Sequence, residues 1–172
     1  MASKRATSEL GSGRLESRLT SDPANIAAVR HAIEELCCCK GGLDQGAAAE
    51  VGLCVNEALA NVMRHAYAGQ AGKPIQVTAQ CQGDTVVVTI RDWGNGVNPA
   101  SLPERPYDPT EPGGLGLICL KKMMTEVTYI PQPDGMLLIM KKRKTGANNG
   151  KPAGNPNPGQ PSKADRPKPE RP

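Results

Sequence analysis

The hydrophobic residues in the first third of the chain recur at helical spacing, which predicts two amphipathic helices. The first begins after Asp22-Pro23, an N-cap acceptor followed by proline, and ends at Gly41-Gly42. The second begins at Asp44 and ends near Gly69. The apolar positions that we expect these helices to bury are Ile26, Val29, Ile33 and Leu36 in the first, and Val51, Val55, Ala58, Leu59, Val62 and Ala66 in the second.

The hydrophobic period then changes from 3.6 to 2, which indicates β-strands. Alternation predicts two antiparallel strands at Pro74–Gln80 and Thr85–Arg91, joined by a turn. The remaining predicted elements are an edge strand at 13–19, a helix at 115–125 and a closing hairpin at 126–130 and 136–142. This order predicts an α+β two-layer sandwich, in which a mixed, mostly antiparallel sheet carries helices on one face.

Composition divides the chain into three predicted parts. Residues 1–13 are interpreted as a flexible leader, and residues 14–145 are long enough for one domain with a buried core. Residues 146–172 contain mostly Pro, Gly, Asn and Lys, and we expect them to be disordered because they have almost no apolar surface to bury. Residues 97–112 hold five prolines without periodicity, which indicates either a functional lid or a disordered segment.

The positive charge is concentrated at the C-terminal end. The chain has 21 Lys and Arg against 17 Asp and Glu, yet the first 140 residues have 12 and 15, a net charge of −3. The basic pI therefore does not indicate a nucleic-acid-binding domain, and we expect no direct contact with nucleic acid. No apolar run approaches the roughly 20 residues that span a bilayer, and the N-terminus lacks the apolar region of a secretory signal. We therefore expect a cytoplasmic protein without a membrane anchor.

The six cysteines and two histidines do not have the spacing of a zinc site, since no Cys-x-x-Cys pair is present. Cys54 and Cys119 lie among apolar residues, as small core residues do in a reducing compartment. We interpret the consecutive Cys37, Cys38 and Cys39 as an inert helix end rather than a redox switch.

Two polar residues of the second helix are candidates for chemistry. Glu57 and Asn61 lie four residues apart and share a face that the buried stripe does not occupy. An amide oxygen is a suitable ligand for Mg²⁺, which takes only one or two protein ligands besides phosphate oxygens and water. The carboxylate of Glu57, one turn earlier, could accept a proton from an attacking hydroxyl. Taken alone, a Glu and an Asn at this spacing are more often solvent-exposed residues of an amphipathic helix than a catalytic pair.

Two glycine-containing segments complete the set of candidates. Asp92 ends an apolar strand, where its carboxylate can accept a hydrogen bond from an exocyclic amine, and Gly94 and Gly96 permit a ligand ring to approach the backbone. The segment Gly113-Gly114-Leu115-Gly116-Leu117 leads into a helix whose free N–H groups suit phosphate oxygens. Arg105 is the most natural cation to reach a phosphate, although its spacing does not single it out. Each segment alone is also typical of an ordinary turn or helix cap.

Taken together and in this order, the three segments resemble the N box and the two glycine boxes of the GHKL (Bergerat-fold) ATP-binding superfamily. Within it, the segments 57–67 and 114–124 are most similar to the anti-sigma factor serine/threonine kinases. The resemblance extends from about residue 14 to residue 142. Two features depart from the family pattern, namely the proline-rich segment 97–112 and the C-terminal tail.

The resemblance implies a role for each candidate residue. Glu57 would be the general base for a substrate serine, and Asn61 would be the Mg²⁺ ligand. Asp92 would bind the adenine amine of ATP, with Gly94 and Gly96 beneath the base. The glycine-rich segment from Gly113 to Leu117 would lie beside the phosphates, with Arg105 as a further phosphate contact.

The resemblance also implies an activity and its partners. We expect an ATP-dependent protein-serine kinase and anti-sigma factor of a bacterial partner-switching system, which phosphorylates a STAS-domain antagonist, can bind a sigma factor and forms a homodimer. Two alternatives stay open. The first is a nucleotide-gated binding module without physiological kinase activity, and the second is a stand-alone ATP-binding domain of the histidine-kinase type.

Overall fold

The computed structural model describes residues 13–95 and 115–144. Its elements, in chain order, are β1 (Arg14–Thr20), α1 (Ala24–Cys39), α2 (Gln45–Asn61), a π-helical turn (Val62–Ala66), β2 (Pro74–Gln82), β3 (Thr85–Asp92), α3 (Leu115–Met123), β4 (Glu126–Gln132) and β5 (Gly135–Arg143). The predicted leader up to residue 12, the proline-rich segment and the predicted tail lie outside these residues. Within 13–95 and 115–144, no helix is long and apolar enough to cross a membrane.

The strands form one sheet in the order β1-β2-β3-β5-β4, with β1 at one edge. The predicted α+β sandwich and its edge strand are confirmed, but every pairing among the described strands is antiparallel, so the sheet is not mixed as expected. The physical reason is the position of β5. The connection through α3 returns β4 to the sheet in the same direction as β3, and β5 separates these two strands and pairs antiparallel with both.

The inner face of the sheet contributes to one hydrophobic core shared with the helices. Along β3, Val86, Val88 and Ile90 alternate into this core, as a half-buried strand requires. Asp92 is the next residue on the same face and is only 4% exposed. The strand register places it between Ile75 of β2 and Met136 of β5. A carboxylate therefore ends the buried face of a central strand, on the side where the helices lie.

The helix starts follow the capping signals in the sequence. Asp44 Oδ1 accepts a hydrogen bond from Ala47 N at 2.8 Å, and Asp22 Oδ1 accepts one from Ala24 N at 2.9 Å. All predicted stripe residues of α1 and α2 are buried except Ala66, which is half-buried. The helical residues end earlier than predicted in two places, at Ala66 instead of near residue 69 and at Met123 instead of residue 125.

The two hairpins have longer strands and tighter turns than the sequence suggested. Strand β2 continues to Gln82 and pairs there with Thr85, because Gly83 adopts a φ of +59° that permits a two-residue turn. In the second hairpin Gln132 pairs with Gly135, so that its turn also has two residues. A propensity pattern marks the presence of such a turn but not the residue at which strand pairing stops.

The cysteines of the described residues are free thiols, and Cys54 is buried as the sequence predicts. Burial raises the pKa of Cys37 to about 12 and that of Cys54 to about 11, which disfavours the thiolate form at neutral pH. Cys119 is half-buried, and Cys38 and Cys39 are exposed at the end of α1. Among the described residues, no group of three or more His, Cys, Asp or Glu side chains is arranged to hold a metal ion by itself.

Candidate nucleotide-binding site

The first part of the candidate site lies where α2 meets the start of α3. Glu57 and Asn61 are both half-buried, one turn apart on α2. A Cβ built on Gly116 would lie 2.8 Å from Glu57 Oε2 and 3.5 Å from Asn61 Nδ2. The first turn of α3 therefore lies directly against both side chains. We call this group of Glu57, Asn61 and Gly116 the α2–α3 end of the site.

A π-helical turn follows Asn61 directly, and the hydrophobic periodicity did not predict it. The turn is closed by the hydrogen bond from Tyr67 N to Val62 O at 3.0 Å, five residues apart, and Gly69 N donates to Met63 O at 2.9 Å just beyond its end. Isolated π-helical turns within α-helices occur frequently at functional sites. Here the turn connects the α2–α3 end of the site with the end of β3, because Ala66, its last residue, lies against Gly94.

Gly94 and Asp92 form the second part of the site. Asp92 Oδ1 accepts a hydrogen bond from Gly94 N at 3.0 Å. A Cβ built on Gly94 would lie 2.7 Å from the carbonyl carbon of Ala66 and 2.8 Å from its Cβ. The sequence predicted that this glycine lets a ligand ring approach the backbone, whereas the close neighbour in the structure is the protein's own π-helical turn. Gly94 thus fixes the distance between that turn and the end of β3.

The buried Tyr67 side chain connects the π-helical turn with β2 and the end of β3. Its side chain is buried, with only 5% exposed. The hydroxyl donates to Pro74 O at 2.5 Å and accepts from Trp93 N at 2.8 Å, so one phenol links the end of the π-helical turn, the start of β2 and the residue after Asp92. We call Tyr67, Asp92 and Gly94 the β3 end of the site. Tyr67 lies in the segment 57–67 that carries the family resemblance, but no role was predicted for it from the sequence.

The β4–β5 turn packs against the outer side of the β3 end. Arg91 donates to the carbonyl oxygen of Asp92 and forms an ion pair with Asp134. Its guanidinium also lies over the ring of Trp93, 4.7 Å from the centroid. Gly135 approaches the backbone of Asp92 closely, since a Cβ there would lie 2.8 Å from the Asp92 carbonyl carbon. Sequence reasoning missed this contact because it joins residues more than 40 positions apart.

Burial raises the pKa of the Asp92 carboxyl above its usual value. The hydrogen bond from Gly94, the positive charge of Arg91 and a backbone hydrogen bond from Met136 oppose this shift. Asp92 is therefore a desolvated acceptor whose position is fixed by backbone donors. Such a carboxylate can accept a hydrogen bond from a ligand amine without competition from bulk water.

The residues present fit the nucleotide and metal that the family resemblance implies. Gly116 leaves the space beside Glu57 and Asn61 that a side chain would fill. The Asn61 carboxamide is the type of oxygen donor that Mg²⁺ accepts, and one such donor is enough when phosphates supply further ligands. Asn61 is therefore the described residue that would hold Mg²⁺, and its role remains a prediction.

Several predicted site residues lie outside the described part of the chain, namely Gly96, Arg105, Gly113 and Gly114. The backbones of Leu115 and Leu117 belong to the first turn of α3. The proposed contacts of all six residues stay predictions. Of the predicted residues that the structure describes, Glu57, Asn61 and Gly116 lie together, and Asp92 and Gly94 lie together at the other end of the π-helical turn.

A cavity of about 330 Å³ lies elsewhere, between α1 and α2. Its lining includes His31, Glu34, Glu35 and Cys38 of α1 and Ala48 of α2, and it contains neither Glu57 nor Asp92. His31 Nδ1 lies 3.4 Å from Glu34 Oε2. None of the residues that the sequence predicts for the nucleotide site lines this cavity. The cavity is therefore not the site that the three segments predict.

Comparison with known proteins gives a consistent result. The chain is 29% identical over 101 residues to the anti-sigma F factor of Halalkalibacterium halodurans, a match that covers 56% of this chain and 69% of that protein. It is also 29% identical over 82 residues to the anti-sigma F factor of Anoxybacillus flavithermus, covering 45% of this chain and 56% of that protein.

Among solved structures, the RsbU and RsbW domains of Rv1364c from Mycobacterium tuberculosis match with a TM-score of 0.56 and 20% identity. This match covers 76% of the chain and 31% of that structure, and it shows that the fold is shared. The model of the histidine kinase-like ATPase domain family matches residues 19–142, which include both ends of the site. The resemblance to the GHKL anti-sigma kinases is thus confirmed, and the chain belongs to the histidine kinase-like ATPase domain family.

Proposed function

We propose that this protein is an ATP-dependent protein-serine kinase and anti-sigma factor. The observation that carries the proposal is the approach of Gly116 to both Glu57 and Asn61. It brings a candidate base, a candidate metal ligand and the start of a helix to one point. Phosphoryl transfer needs mainly positioning and charge stabilisation, which such a group of residues can supply.

Each described residue has a distinct role in this proposal. Asp92 accepts a hydrogen bond from the adenine amine and so orients the nucleotide. The first turn of α3 donates backbone N–H groups to phosphate oxygens. Glu57 accepts the proton of the attacking serine hydroxyl. Asn61 holds Mg²⁺, which when bound offsets the negative charge of the phosphates.

The proposed partners follow from the proteins to which the chain is similar. Two relatives are named anti-sigma F factors. These names support the proposal that the protein binds a sigma factor. As the family resemblance implies, we also propose that the substrate is a STAS-domain antagonist phosphorylated on serine, and that the protein is a cytoplasmic homodimer. The matched regions cover 69% and 56% of these relatives. The partners of this protein are therefore proposed and not inferred from a full-length match.

The proposal is tested by mixing the purified protein with Mg²⁺, γ-labelled ATP and cytosol from the source organism. We expect acid-stable label on a small protein, recovered as phosphoserine. The variant Glu57→Gln should reduce the labelling rate by about a hundredfold or more because it removes the base. The same variant should bind ATP with unchanged affinity, since Glu57 does not contact the adenine in this proposal.

The other outcomes separate the alternatives. Unchanged labelling by Glu57→Gln would remove Glu57 from the role of base. Nucleotide binding without any transfer, together with equal capture of a partner by wild type and variant, would support the nucleotide-gated binding module. Acid-labile label would indicate chemistry of the histidine-kinase type.

A further inference from the structure

Arg64 has a contact with the α2–α3 end of the site that the proposed function does not use. It lies in the π-helical turn, three residues after Asn61, and its side chain is exposed. One terminal guanidinium nitrogen donates to Asn61 Oδ1 at 3.2 Å, and Nε donates to Ala60 O at 3.3 Å. Arg64 therefore lies over the carboxamide that is the candidate metal ligand.

The contact sets the orientation that the Asn61 carboxamide has in this structure. Its oxygen points to Arg64, while its nitrogen is the atom nearest to the space at Gly116, 3.5 Å from a Cβ built there. In the nucleotide site proposed above, the phosphates and Mg²⁺ belong on the Gly116 side. The oxygen that would bind Mg²⁺ thus points away from that side and is already engaged as an acceptor.

We propose that Arg64 competes with Mg²⁺ for the carboxamide oxygen of Asn61, so that binding of a metal–nucleotide complex requires the Arg64–Asn61 hydrogen bond to break. This inference rests on the proposed nucleotide site. It assigns to Arg64 the role of a positioning residue, which acts through Asn61 and sets the Mg²⁺ concentration at which nucleotide binds.

The competition has an electrostatic and a geometric cause. A Mg²⁺ ion binds an oxygen ligand at about 2.1 Å, which would bring it close to a guanidinium held on the same oxygen, and the two cations repel each other. The carboxamide must also turn to present its oxygen toward Gly116. Because Arg64 is exposed, its side chain can move into solvent and regain hydrogen bonds there.

The test measures binding of ADP, and of a non-hydrolysable ATP analogue, over a range of Mg²⁺ concentrations by calorimetry. The fluorescence of Trp93, the single tryptophan of the chain, gives a second readout next to Asp92. The variants are Arg64→Ala and, as a matched control, Arg18→Ala. Arg18 is an exposed arginine on β1 that pairs only with Glu16 among the described residues, so its variant makes the same change in net charge away from the site.

Arg64→Ala should lower the Mg²⁺ concentration for half-maximal nucleotide binding by about tenfold, the size expected for the loss of one hydrogen bond from a charged donor. Affinity for nucleotide in the presence of a chelator should not increase, and Arg18→Ala should match wild type. An unchanged or increased Mg²⁺ requirement for Arg64→Ala would overturn the inference, and an increase would mean that Arg64 orients Asn61 for the metal. Wild-type protein that binds no nucleotide at any Mg²⁺ concentration would overturn the proposed function and this inference together.

Discussion

The two ends of the candidate site are built differently. At the β3 end, Asp92 and Tyr67 are 4% and 5% exposed, and backbone donors or acceptors hold their polar atoms. At the α2–α3 end, Glu57 and Asn61 are half-buried, and the hydrogen bond described for Asn61 comes from the exposed Arg64. One end is thus fixed by the core, whereas the other can rearrange.

This difference suggests a division of work between binding and chemistry. A rigid, desolvated acceptor recognises one part of a ligand at little entropic cost, because its geometry exists before binding. Proton transfer and metal binding require side chains that change partners. The fixed end is therefore the part that should determine affinity, and the adjustable end is the part that should determine turnover and metal dependence.

The largest expected effect comes from removing the charge of the fixed acceptor. Asp92→Asn should weaken nucleotide binding by about a hundredfold, since one charge-assisted hydrogen bond to the ligand is lost. Calorimetric titration with ADP measures this change, and Asp84→Asn, an exposed turn variant, is the control. Wild-type affinity in Asp92→Asn would show that the β3 end does not bind the base.

Asp92→Asn also tests how the stability of the fold depends on pH. Burial raises the pKa of Asp92 in the folded protein above its value in the unfolded chain. Its contribution to stability is therefore greatest below the unfolded-state pKa and is lost as pH rises through the raised folded-state value. The melting temperature of wild type relative to Asp92→Asn should rise as pH is lowered from neutral toward 4. A constant difference would contradict the burial argument.

Two glycine-to-alanine variants compare the ends directly. At the fixed end, the methyl group of Gly94→Ala would meet the backbone of Ala66, which cannot move alone. We expect a loss of about 2–3 kcal/mol in the free energy of unfolding, typical of overpacking, measured by urea denaturation. Nucleotide binding should weaken as well because Asp92 shifts.

At the adjustable end, the methyl group of Gly116→Ala would meet the carboxylate of Glu57, the far end of a side chain that can turn. The steric cost should be offset by the gain of about 1 kcal/mol for alanine in a helix. Stability should therefore stay within about 1 kcal/mol of wild type, while phosphoryl transfer slows because Glu57 is displaced. Equal destabilisation by the two variants would refute the contrast between the ends.

A smaller effect is expected from Tyr67→Phe. The change leaves Pro74 O and Trp93 N without their buried partner and should cost about 1–2 kcal/mol of stability. Urea denaturation and ADP titration measure stability and affinity, and Tyr129→Phe on β4 is the control. If affinity falls while the Mg²⁺ requirement is unchanged, Tyr67 supports the fixed end alone. A changed Mg²⁺ requirement would show that the two ends are coupled.

Local signals explain what could be predicted from the sequence. Capping by Asp22 and Asp44 and the periodicity of α1 and α2 depend on residues within a few positions of each other, and these predictions are confirmed. Of the residues that the three segments name, Glu57, Asn61 and Gly116 lie together, as do Asp92 and Gly94, while their roles stay predictions. The family resemblance depended on the order of the three segments, since each segment alone resembles an ordinary turn or helix face.

Contacts between distant residues decided the rest. No local pattern reveals that Gly94 lies on Ala66, that Tyr67 bonds to Trp93, or that Arg91 binds Asp134. The π-helical turn was missed because its apolar positions fit an ordinary α-helix equally well.

The sequence by itself thus determined the α+β class, the helix starts and the candidate chemical groups, because periodicity, capping and residue type are local properties. Only the tertiary structure decided that the sheet is wholly antiparallel in its described strands, that one end of the site is buried and fixed, and that Arg64 covers Asn61. These features depend on which surfaces meet when the core forms, and that outcome is set by packing across the whole domain rather than by any segment alone.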